Sequence, residues 1–262
     1  MVVPEIRNIT ILGAGRLASA FSLAIRKEGY TISEVYNRDE KRGKKLAGLL
    51  SADYVPEPEQ LSLDADLYIL AVSDDAIPVI AGRFHCGEKL IVHTSGTVAM
   101  DVLQTSSKNT GVIYPPQTFI SKRIRNFRPV PLCIEANSSG SLALLQTFAG
   151  SLSDKVYTLN SAQRKMVHLA AVFAANFTNF MYGISQEILR ENDLPFEILE
   201  PIIRQTAANV KAADVFRLQT GPAIREDHGT LAAHLELLSS HPGYREIYQL
   251  ISKTIIQQKK DS

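Results

Sequence analysis

Two glycines near the start of the chain have the spacing that binds a dinucleotide. An apolar run at residues 9–12 leads into Gly13-x-Gly15-x-x-Ala18. The first glycine allows a sharp turn, the second lets a pyrophosphate approach the backbone, and a small Ala18 lets the next helix pack on the strand. The phosphates would lie at the N-terminus of that helix. We therefore expect cofactor contacts along the whole turn, at Gly13, Ala14, Gly15, Arg16, Leu17 and Ala18.

The end of the second predicted strand indicates which dinucleotide is bound. Residues 31–36 have a strand pattern, and Asn37 and Arg38 follow them, about 20 residues beyond the glycines, where a carboxylate would hold the ribose of NAD. Neither residue is a carboxylate. Asn37 does not repel a 2′-phosphate, and the guanidinium of Arg38 can form two hydrogen bonds to its oxygens. The sequence therefore favours NADP.

Two further apolar runs end in small residues, at the strand ends where parallel sheets bind ligands. They are Ala71, Val72 and Ser73 after the run 66–72, and Thr94, Ser95 and Gly96 after the run 89–94. We expect the first group beside the ribose and pyrophosphate and the second near the nicotinamide. Ser73 or Asp74 also fits an ordinary helix N-cap. His93 is interpreted as a packed or capping histidine.

Length and charge are typical of a two-domain enzyme. The chain has 262 residues, 45% of them hydrophobic, and a formal net charge of +1, which argues against a generally basic nucleic-acid surface. No apolar run approaches the roughly 18 to 20 residues that span a bilayer, so we expect a cytoplasmic protein with no membrane partner. Two cysteines are too few for a zinc motif, and no metal site is predicted.

Strand-like and helix-like segments alternate to about residue 158, after which only helical patterns follow. This predicts an α/β class, with a doubly wound parallel sheet at residues 1–158 and an all-α domain at 159–262. Asn160 and Gln163 form a capping box that opens one helical segment to about residue 190. Its middle, residues 169–177, is apolar nearly all round and must be covered. We expect a homodimer through this helical domain.

His168 and Asn176 interrupt the apolar part of the long helix. Eight residues place them about 80° apart around an α-helix, so they can face the same cleft. A buried polar group is costly unless it is bonded, so each belongs either to a structural network or to a substrate pocket. Because a helical domain lying over a nicotinamide would supply the substrate contacts, we take His168 as the proton donor and Asn176 as its hydrogen-bonding partner.

Three other polar residues are weaker candidates for substrate contacts. Gln117 lies on a proline-stiffened turn, and Arg225 and Thr230 follow a Gly-Pro turn. Asp227 between them is explained by helix capping. His234 fits a ligand or a packed position equally.

Together these motifs resemble the NADP-oxidoreductase-like proteins that join a Rossmann domain to a C-terminal helical domain of uncharacterised function. Such proteins are distant relatives of pyrroline-5-carboxylate reductase, 6-phosphogluconate dehydrogenase and the deazaflavin-dependent NADP oxidoreductases. The motifs that carry the resemblance are Gly13-x-Gly15-x-x-Ala18, Leu70-Ala-Val-Ser-Asp-Asp-Ala76, His93-Thr-Ser-Gly96, Pro115-x-Gln-Thr-Phe119, Arg164 with His168, Asn176, and Thr220-Gly-Pro with Arg225, Asp227 and His234. The resemblance implies a Rossmann-type sheet, an all-α domain similar to the C-terminal domain of 6-phosphogluconate dehydrogenase, and NADP as cofactor.

Two positions depart from the patterns of these families. The turn before Gln-Thr-Phe reads Tyr114-Pro115-Pro116 instead of His-Pro-Leu, so no catalytic histidine is expected there. Leu169 follows His168 where 6-phosphogluconate dehydrogenases have Asn, so their sugar-acid mechanism is not carried over.

The hypothesis from the sequence is an NADP-dependent oxidoreductase that transfers hydride between NADP(H) and a small carbonyl or imine. The cofactor supplies the difficult chemistry, and the protein orients and protonates the acceptor. Two alternatives stay open: a sensor that binds NADP without chemistry, and a deazaflavin-dependent NADP reductase. No residue pattern names the functional group of the substrate.

Overall fold

The computed structural model describes residues 5–120, 126–211 and 214–261. The strands in the first part of the chain form one large sheet. Within the described residues eight strands pair in the order β3-β2-β1-β4-β5-β6-β7-β8. They are β1 (Asn8–Leu12), β2 (Thr31–Tyr36), β3 (Asp53–Val55), β4 (Leu67–Leu70), β5 (Gly87–His93), β6 (Ser107–Tyr114), β7 (Leu132–Ala136) and β8 (Val156–Thr158). The strand order reverses at β1, which places the ligand crevice at the carboxyl ends of β1 and its neighbours.

Among the described residues, four α-helices accompany the sheet: α1 (Arg16–Lys27), α2 (Glu40–Leu50), α3 (Ala76–Arg83) and α4 (Ser139–Leu152). Alternate residues of β4 enter two different apolar clusters: Leu67 and Ile69 belong to one, and Tyr68 and Leu70 to the other. The sheet is therefore buried on both faces, which explains why β4 reads as an uninterrupted apolar run. The predicted doubly wound α/β fold is confirmed.

Two features of the sheet are not predicted by the sequence. The strand β3 is only three residues long, too short for a periodic pattern. The pair β6–β7 is antiparallel, whereas every other neighbouring pair is parallel. Apolar periodicity reveals that a segment is a strand but not its direction, so the reversal at β7 could not be read from the residues.

The second part of the chain is helical. Its α-helices are α5 (Ser161–Ala171), α6 (Thr178–Glu191), α7 (Glu200–Asn209), α8 (His228–Leu237) and α9 (Pro242–Asp261). Asn160 and Gln163 form the predicted capping box at the start of α5. A π-helical turn, Val172–Phe177, joins α5 to α6, so the predicted single helix is continuous but not uniformly α-helical. Five of the six residues of this turn are apolar, so it has no periodicity that could reveal it.

By contacts the chain falls into two compact units, residues 1–176 and 177–262. The contacts of α5 lie in the first unit, although the predicted domains, 1–158 and 159–262, group α5 with the other helices. The domain boundary between residues 158 and 159 therefore stays a prediction.

The helical run Ser161–Glu191 exposes a row of large apolar side chains. Each member of this row is at least half exposed: Met166, Leu169, Phe173, Phe177 and Phe180. Among the described residues, this 31-residue run is long and apolar enough to cross a membrane by length and composition, with a mean hydropathy of 1.2 in its 18-residue window. This corrects the expectation that no such run exists. Length and composition alone do not distinguish a bilayer helix from one covered by protein.

Candidate active site

The glycine turn after β1 is packed on one side and open on the other. Gly13 has a φ of 124°, and a Cβ built on it would lie 2.3 Å from the carbonyl oxygen of Ala71. Its N–H donates to the carbonyl of Tyr36 at 2.7 Å. A Cβ on Gly15, by contrast, would have no atom within 4 Å. Only glycine fits the packed position, and the open position leaves room for a ligand against the backbone.

The start of α1 fits an anion. Gly15 is the N-cap and offers no side-chain acceptor, and the first turn of this 12-residue helix holds no acidic residue. Its first N–H groups and the positive end of its dipole therefore face the open side of the turn. Ala18 is 1% exposed and packs inward as predicted. The turn is thus suited to the pyrophosphate of a dinucleotide.

Asn37 and Arg38 have different surroundings at the end of β2. The Oδ1 of Asn37 accepts a hydrogen bond from the Ala14 N–H at 3.0 Å, and its Nδ2 donates to the Asp39 carbonyl at 2.7 Å. Asn37 therefore braces the glycine turn, a role that no sequence pattern indicates. The side chain of Arg38 is exposed and makes no hydrogen bond or ion pair with the described residues. Asn37 is neutral and both ends of its amide are hydrogen-bonded, so Arg38 is the better candidate to contact a 2′-phosphate.

The carboxyl end of β4 carries the first group of small residues. Ala71 is buried, Val72 is half-buried and Ser73 is exposed. Asp75, not Ser73, occupies the N-cap position of α3, and it makes no side-chain cap hydrogen bond. In the described part of the chain, neither Ser73 nor Asp74 makes a side-chain cap hydrogen bond to this helix, and the Asp74 carboxylate accepts from the Thr97 hydroxyl instead.

The second group, Thr94, Ser95 and Gly96, follows β5 and is buried. The Ser95 Oγ accepts hydrogen bonds from the N–H groups of Thr97 and Val98, both at 3.0 Å, which closes a tight loop. The Ser95 N–H donates to the Nδ1 of His93 at 3.2 Å. We call residues 94–96 the serine-glycine loop.

His93 is fully buried below this loop, and its interpretation as a packed histidine is confirmed. Burial and, to a smaller extent, the positive charge of Arg164 lower the pKa of His93 to about 4. The imidazole is neutral at neutral pH, so its Nδ1 can accept from Ser95.

His168, on α5, rests on the serine-glycine loop. A Cβ built on Gly96 would lie 2.7 Å from the His168 Nδ1, so the ring requires glycine at this position. The same Nδ1 lies 3.1 Å from the hydroxyl of Tyr114, the last residue of β6. Burial is the main reason that the pKa of Tyr114 is raised, so its phenol stays protonated at neutral pH. When the phenol donates to Nδ1, the neutral imidazole carries its proton on Nε2.

Arg164 lies one helical turn before His168 and is 1% exposed. Its Nη1 donates to the Ser95 carbonyl at 2.9 Å, and its Nη2 donates to the Glu135 carboxylate at 3.1 Å and to the Ser161 hydroxyl at 3.0 Å. The i, i+4 spacing puts Arg164 and His168 on one helix face. Glu135, on β7, has no sequence feature that identifies it as the partner of Arg164.

The other predicted catalytic residue, Asn176, is not brought to His168 by a hydrogen bond in the described structure. Asn176 is exposed and lies in the π-helical turn. The 80° relation to His168 assumed an α-helix throughout and is therefore wrong, because a π turn changes the angle per residue. A role for Asn176 in catalysis stays a prediction.

The weaker substrate candidates lie on turns and caps. Gln117 is exposed on a turn in which its N–H donates to the Pro115 carbonyl at 2.8 Å. In the second unit Arg225 is exposed, whereas the Thr230 hydroxyl donates to Asp227 at 2.7 Å within the N-cap of α8. The His234 Nδ1 lies 2.7 Å from the Tyr248 hydroxyl, which fits its packed alternative.

Comparison with known families and structures covers both parts of the chain. Residues 8–95 match the family described as NADP oxidoreductase coenzyme F420-dependent, and residues 130–255 match a domain of unknown function, DUF2520. None of the curated proteins matches the chain.

A solved structure from Bacteroides fragilis, described provisionally as an NADP oxidoreductase, is 37% identical. It aligns over 97% of this chain and 98% of that chain with a TM-score of 0.88. An imine reductase of Myxococcus stipitatus in complex with NADP+ is 18% identical, with 97% and 95% covered and a TM-score of 0.68. A 1-pyrroline-5-carboxylate reductase of Streptococcus pyogenes is 16% identical, with 97% and 98% covered and a TM-score of 0.63.

The last two similarities show a shared fold. The first, with the two family matches, shows more: the chain belongs to the family of NADP oxidoreductases that includes the Bacteroides fragilis protein, in which a Rossmann domain precedes a DUF2520 domain.

Proposed function

We propose that this protein is an NADPH-dependent reductase of a small carbonyl or imine compound. The observation that carries the proposal is the pair formed by His168 and Tyr114, with a nitrogen–oxygen distance of 3.1 Å, at the edge of the sheet where β5 and β6 end. A titratable pair at that edge is suited to proton transfer beside a nicotinamide.

The cofactor half of the proposal is supported by the glycine turn and Arg38. The open side of Gly15 and the uncapped start of α1 suit the pyrophosphate. The exposed guanidinium of Arg38 suits a 2′-phosphate, which only NADP carries.

NADPH, when bound, supplies the hydride that reduces the acceptor carbon. The electron pair of the acceptor double bond moves to its oxygen or nitrogen, and that atom takes the proton held on Nε2 of His168. The Tyr114 hydroxyl passes its own proton to Nδ1 in the same step, so the imidazole stays neutral. Tyr114 keeps the imidazole in the tautomer that carries this proton, because its hydroxyl occupies Nδ1. The product is an alcohol or an amine, and the Tyr114 oxygen regains its proton from solvent.

Asn176 and Gln117, both in the first unit, are proposed to orient the acceptor by hydrogen bonding, and Arg225 and Thr230 stay weaker candidates for a substrate contact. Arg225 carries a positive charge, so its substitution should affect acceptors with a carboxylate more than acceptors without one. Substituting each with alanine should raise KM for the acceptor without changing the affinity for NADPH.

We also propose that a second copy of the chain covers the exposed apolar row on the helical run Ser161–Glu191. Large apolar patches on a protein surface mark interaction sites. Light scattering during size-exclusion chromatography should give twice the chain mass of 28.9 kDa, and Phe173→Glu should shift the protein towards the monomer. A wild-type monomer would contradict this assembly.

The test of the enzymatic proposal is NADPH oxidation with a panel of cyclic imines, aldehydes and 2-keto acids. The variants His168→Ala and Tyr114→Phe are compared with His85→Ala, which removes an exposed histidine of the same unit. Loss of the proton donor should lower kcat of His168→Ala by about 10²- to 10⁴-fold. The NADPH dissociation constant and the His85→Ala control should stay near wild type. Equal turnover in His168→Ala would exclude its role as proton donor.

A second candidate is electron exchange between NADP and a deazaflavin. The matching family over residues 8–95 is described as dependent on coenzyme F420, and this match is the observation that favours it. The same assay therefore includes coenzyme F420. If coenzyme F420 is the one acceptor that is turned over, electron exchange with F420 replaces carbonyl or imine reduction as the proposed activity. Tight NADPH binding with no turnover of any acceptor would favour a sensor.

A further inference from the structure

A buried arginine stands behind the serine-glycine loop. Arg164 is 1% exposed, and its counter-charge, Glu135, has a side chain that is 12% exposed. Burying an ion pair costs free energy of desolvation that is only partly returned, so such pairs are weak evidence of a stabilising role. One of the hydrogen bonds of Arg164 goes to the Ser95 carbonyl, at the ligand-binding edge of the sheet.

This hydrogen bond fixes the direction of the next N–H group. No peptide bond among the described residues is cis, and in a planar trans peptide the C=O and N–H bonds point in opposite directions. Because the Ser95 carbonyl points to Arg164, the N–H of Gly96 points away from it.

The Gly96 N–H is a buried donor with no acceptor among the described residues. Gly96 is buried, and none of the backbone hydrogen bonds in this part of the structure involves its nitrogen. More than about 90% of buried backbone N–H groups are paired in native proteins. The unpaired donor is next to His168, whose ring lies against Gly96. A ligand acceptor at this position would satisfy it.

The position of β5 in the sheet indicates which ligand atom this is. The adenosine half of a dinucleotide lies on the β2 side of β1, where Asn37 and Arg38 are found, and the nicotinamide half lies on the other side, above β4 and β5. The nicotinamide ring carries a carboxamide whose oxygen is a strong acceptor.

We propose that Arg164 is a positioning residue that aims the Gly96 N–H at the carboxamide oxygen of the nicotinamide. The proposal rests on the proposed function only in taking NADP(H) as the ligand and uses no substrate. Glu135 holds the guanidinium in place through the second nitrogen. Arg164 does not touch the cofactor and acts through the Ser95–Gly96 peptide.

The experiment compares two ligands by calorimetric titration: NADPH, and 2′-phospho-ADP-ribose, which has the same phosphates but lacks the nicotinamide. In Arg164→Met one hydrogen bond to the nicotinamide is lost, which weakens NADPH binding about 3- to 10-fold. The affinity for 2′-phospho-ADP-ribose stays near wild type. Arg83→Met, which removes an exposed ion-paired arginine of the same unit, changes neither affinity.

Equal weakening of both ligands, or no weakening of either, would overturn the proposal, since a merely structural arginine does not distinguish them. Arg164→Met leaves the Glu135 charge buried without its partner and can prevent folding. Arg164→Lys keeps the positive charge beside Glu135. It should still weaken NADPH binding relative to 2′-phospho-ADP-ribose binding, because an ammonium lacks the forked guanidinium that bonds to Ser95 and Glu135 together.

A spectroscopic measurement on the wild-type protein needs no variant. The amide proton of Gly96 should shift downfield on addition of NADP+ but not of 2′-phospho-ADP-ribose. An unchanged Gly96 resonance with saturating NADP+ would contradict the proposed hydrogen bond. Absence of any enzymatic turnover would count against the proposed function and leave both binding measurements valid.

Discussion

The glycine turn and the serine-glycine loop lie at the same edge of the sheet but are shaped by different means. At the turn, the backbone conformation is set by the residue itself, since Gly13 has a φ of 124°. In the loop, the direction of the Ser95 carbonyl is set by Arg164, 69 residues further along the chain. A site of the first kind is visible in a short motif, whereas one of the second kind appears only when distant elements are brought together.

The largest effect that would test this difference is expected for Gly13→Ala. The new Cβ would meet the Ala71 carbonyl at 2.3 Å, and alanine disfavours a φ of 124°. Backbone strain and overpacking together should lower the free energy of unfolding by about 4 kcal/mol. Urea denaturation followed by circular dichroism measures this change. A variant as stable as wild type would show that the turn does not depend on glycine at this position.

Of the glycine turn and the serine-glycine loop, the loop, which packs on His93, should lose stability in acid. Because the pKa of His93 is about 4 in the folded protein and near 6.5 when unfolded, the unfolded state binds more protons between these values. The His93 contribution is therefore fully present above pH 6.5 and is lost as pH falls to 4, by about 3 kcal/mol. The difference in unfolding free energy between wild type and His93→Leu, measured across this window, should carry that slope. A difference independent of pH would contradict it.

At the adenosine end, the comparison predicts that an exposed side chain sets the choice of cofactor. Arg38→Ala should weaken NADPH binding about 10- to 100-fold, because charge-assisted hydrogen bonds to the 2′-phosphate are lost. NADH binding should be unchanged. Titration of the wild type and the variant with both cofactors measures the shift, and an equal loss for NADH would assign Arg38 another role.

The smallest effect on folding is expected for Gly15→Ala. A Cβ there would have no protein atom within 4 Å, so the free energy of unfolding should stay within about 0.5 kcal/mol of wild type. The methyl group would nevertheless occupy the space against the backbone and weaken NADPH binding about 10-fold. Wild-type affinity in this variant would place the pyrophosphate elsewhere.

The parts of the molecule that the sequence predicts are those with local causes. The glycine turn, the buried run of β4 and the capping box at Asn160 each depend on neighbouring residues, and all are present. The pairing of Tyr114 with His168 spans 54 residues and no pattern announces it. In the sequence, Tyr114 is recognisable only as a departure from the His-Pro-Leu pattern, which excludes a catalytic histidine there but does not indicate a role for a phenol.

The π-helical turn is a second feature that the sequence does not reveal. The predicted relation between His168 and Asn176 depends on the geometry of a regular α-helix. Residues 172–177 form a wider turn, and their apolar side chains contain no period that would reveal it. The angle between two helix residues follows from their spacing only where the helix is regular.

The central claim, hydride transfer from NADPH to a carbonyl or imine carbon, is tested most directly with NADPH carrying deuterium at C4 of the nicotinamide. Each stereoisomer of the label is incubated with the protein and the acceptor panel, and the product is analysed by mass spectrometry and NMR. The account predicts that one stereoisomer delivers deuterium to the former carbonyl or imine carbon, and that His168→Ala makes this product far more slowly. No labelled product from either stereoisomer with any acceptor would contradict it.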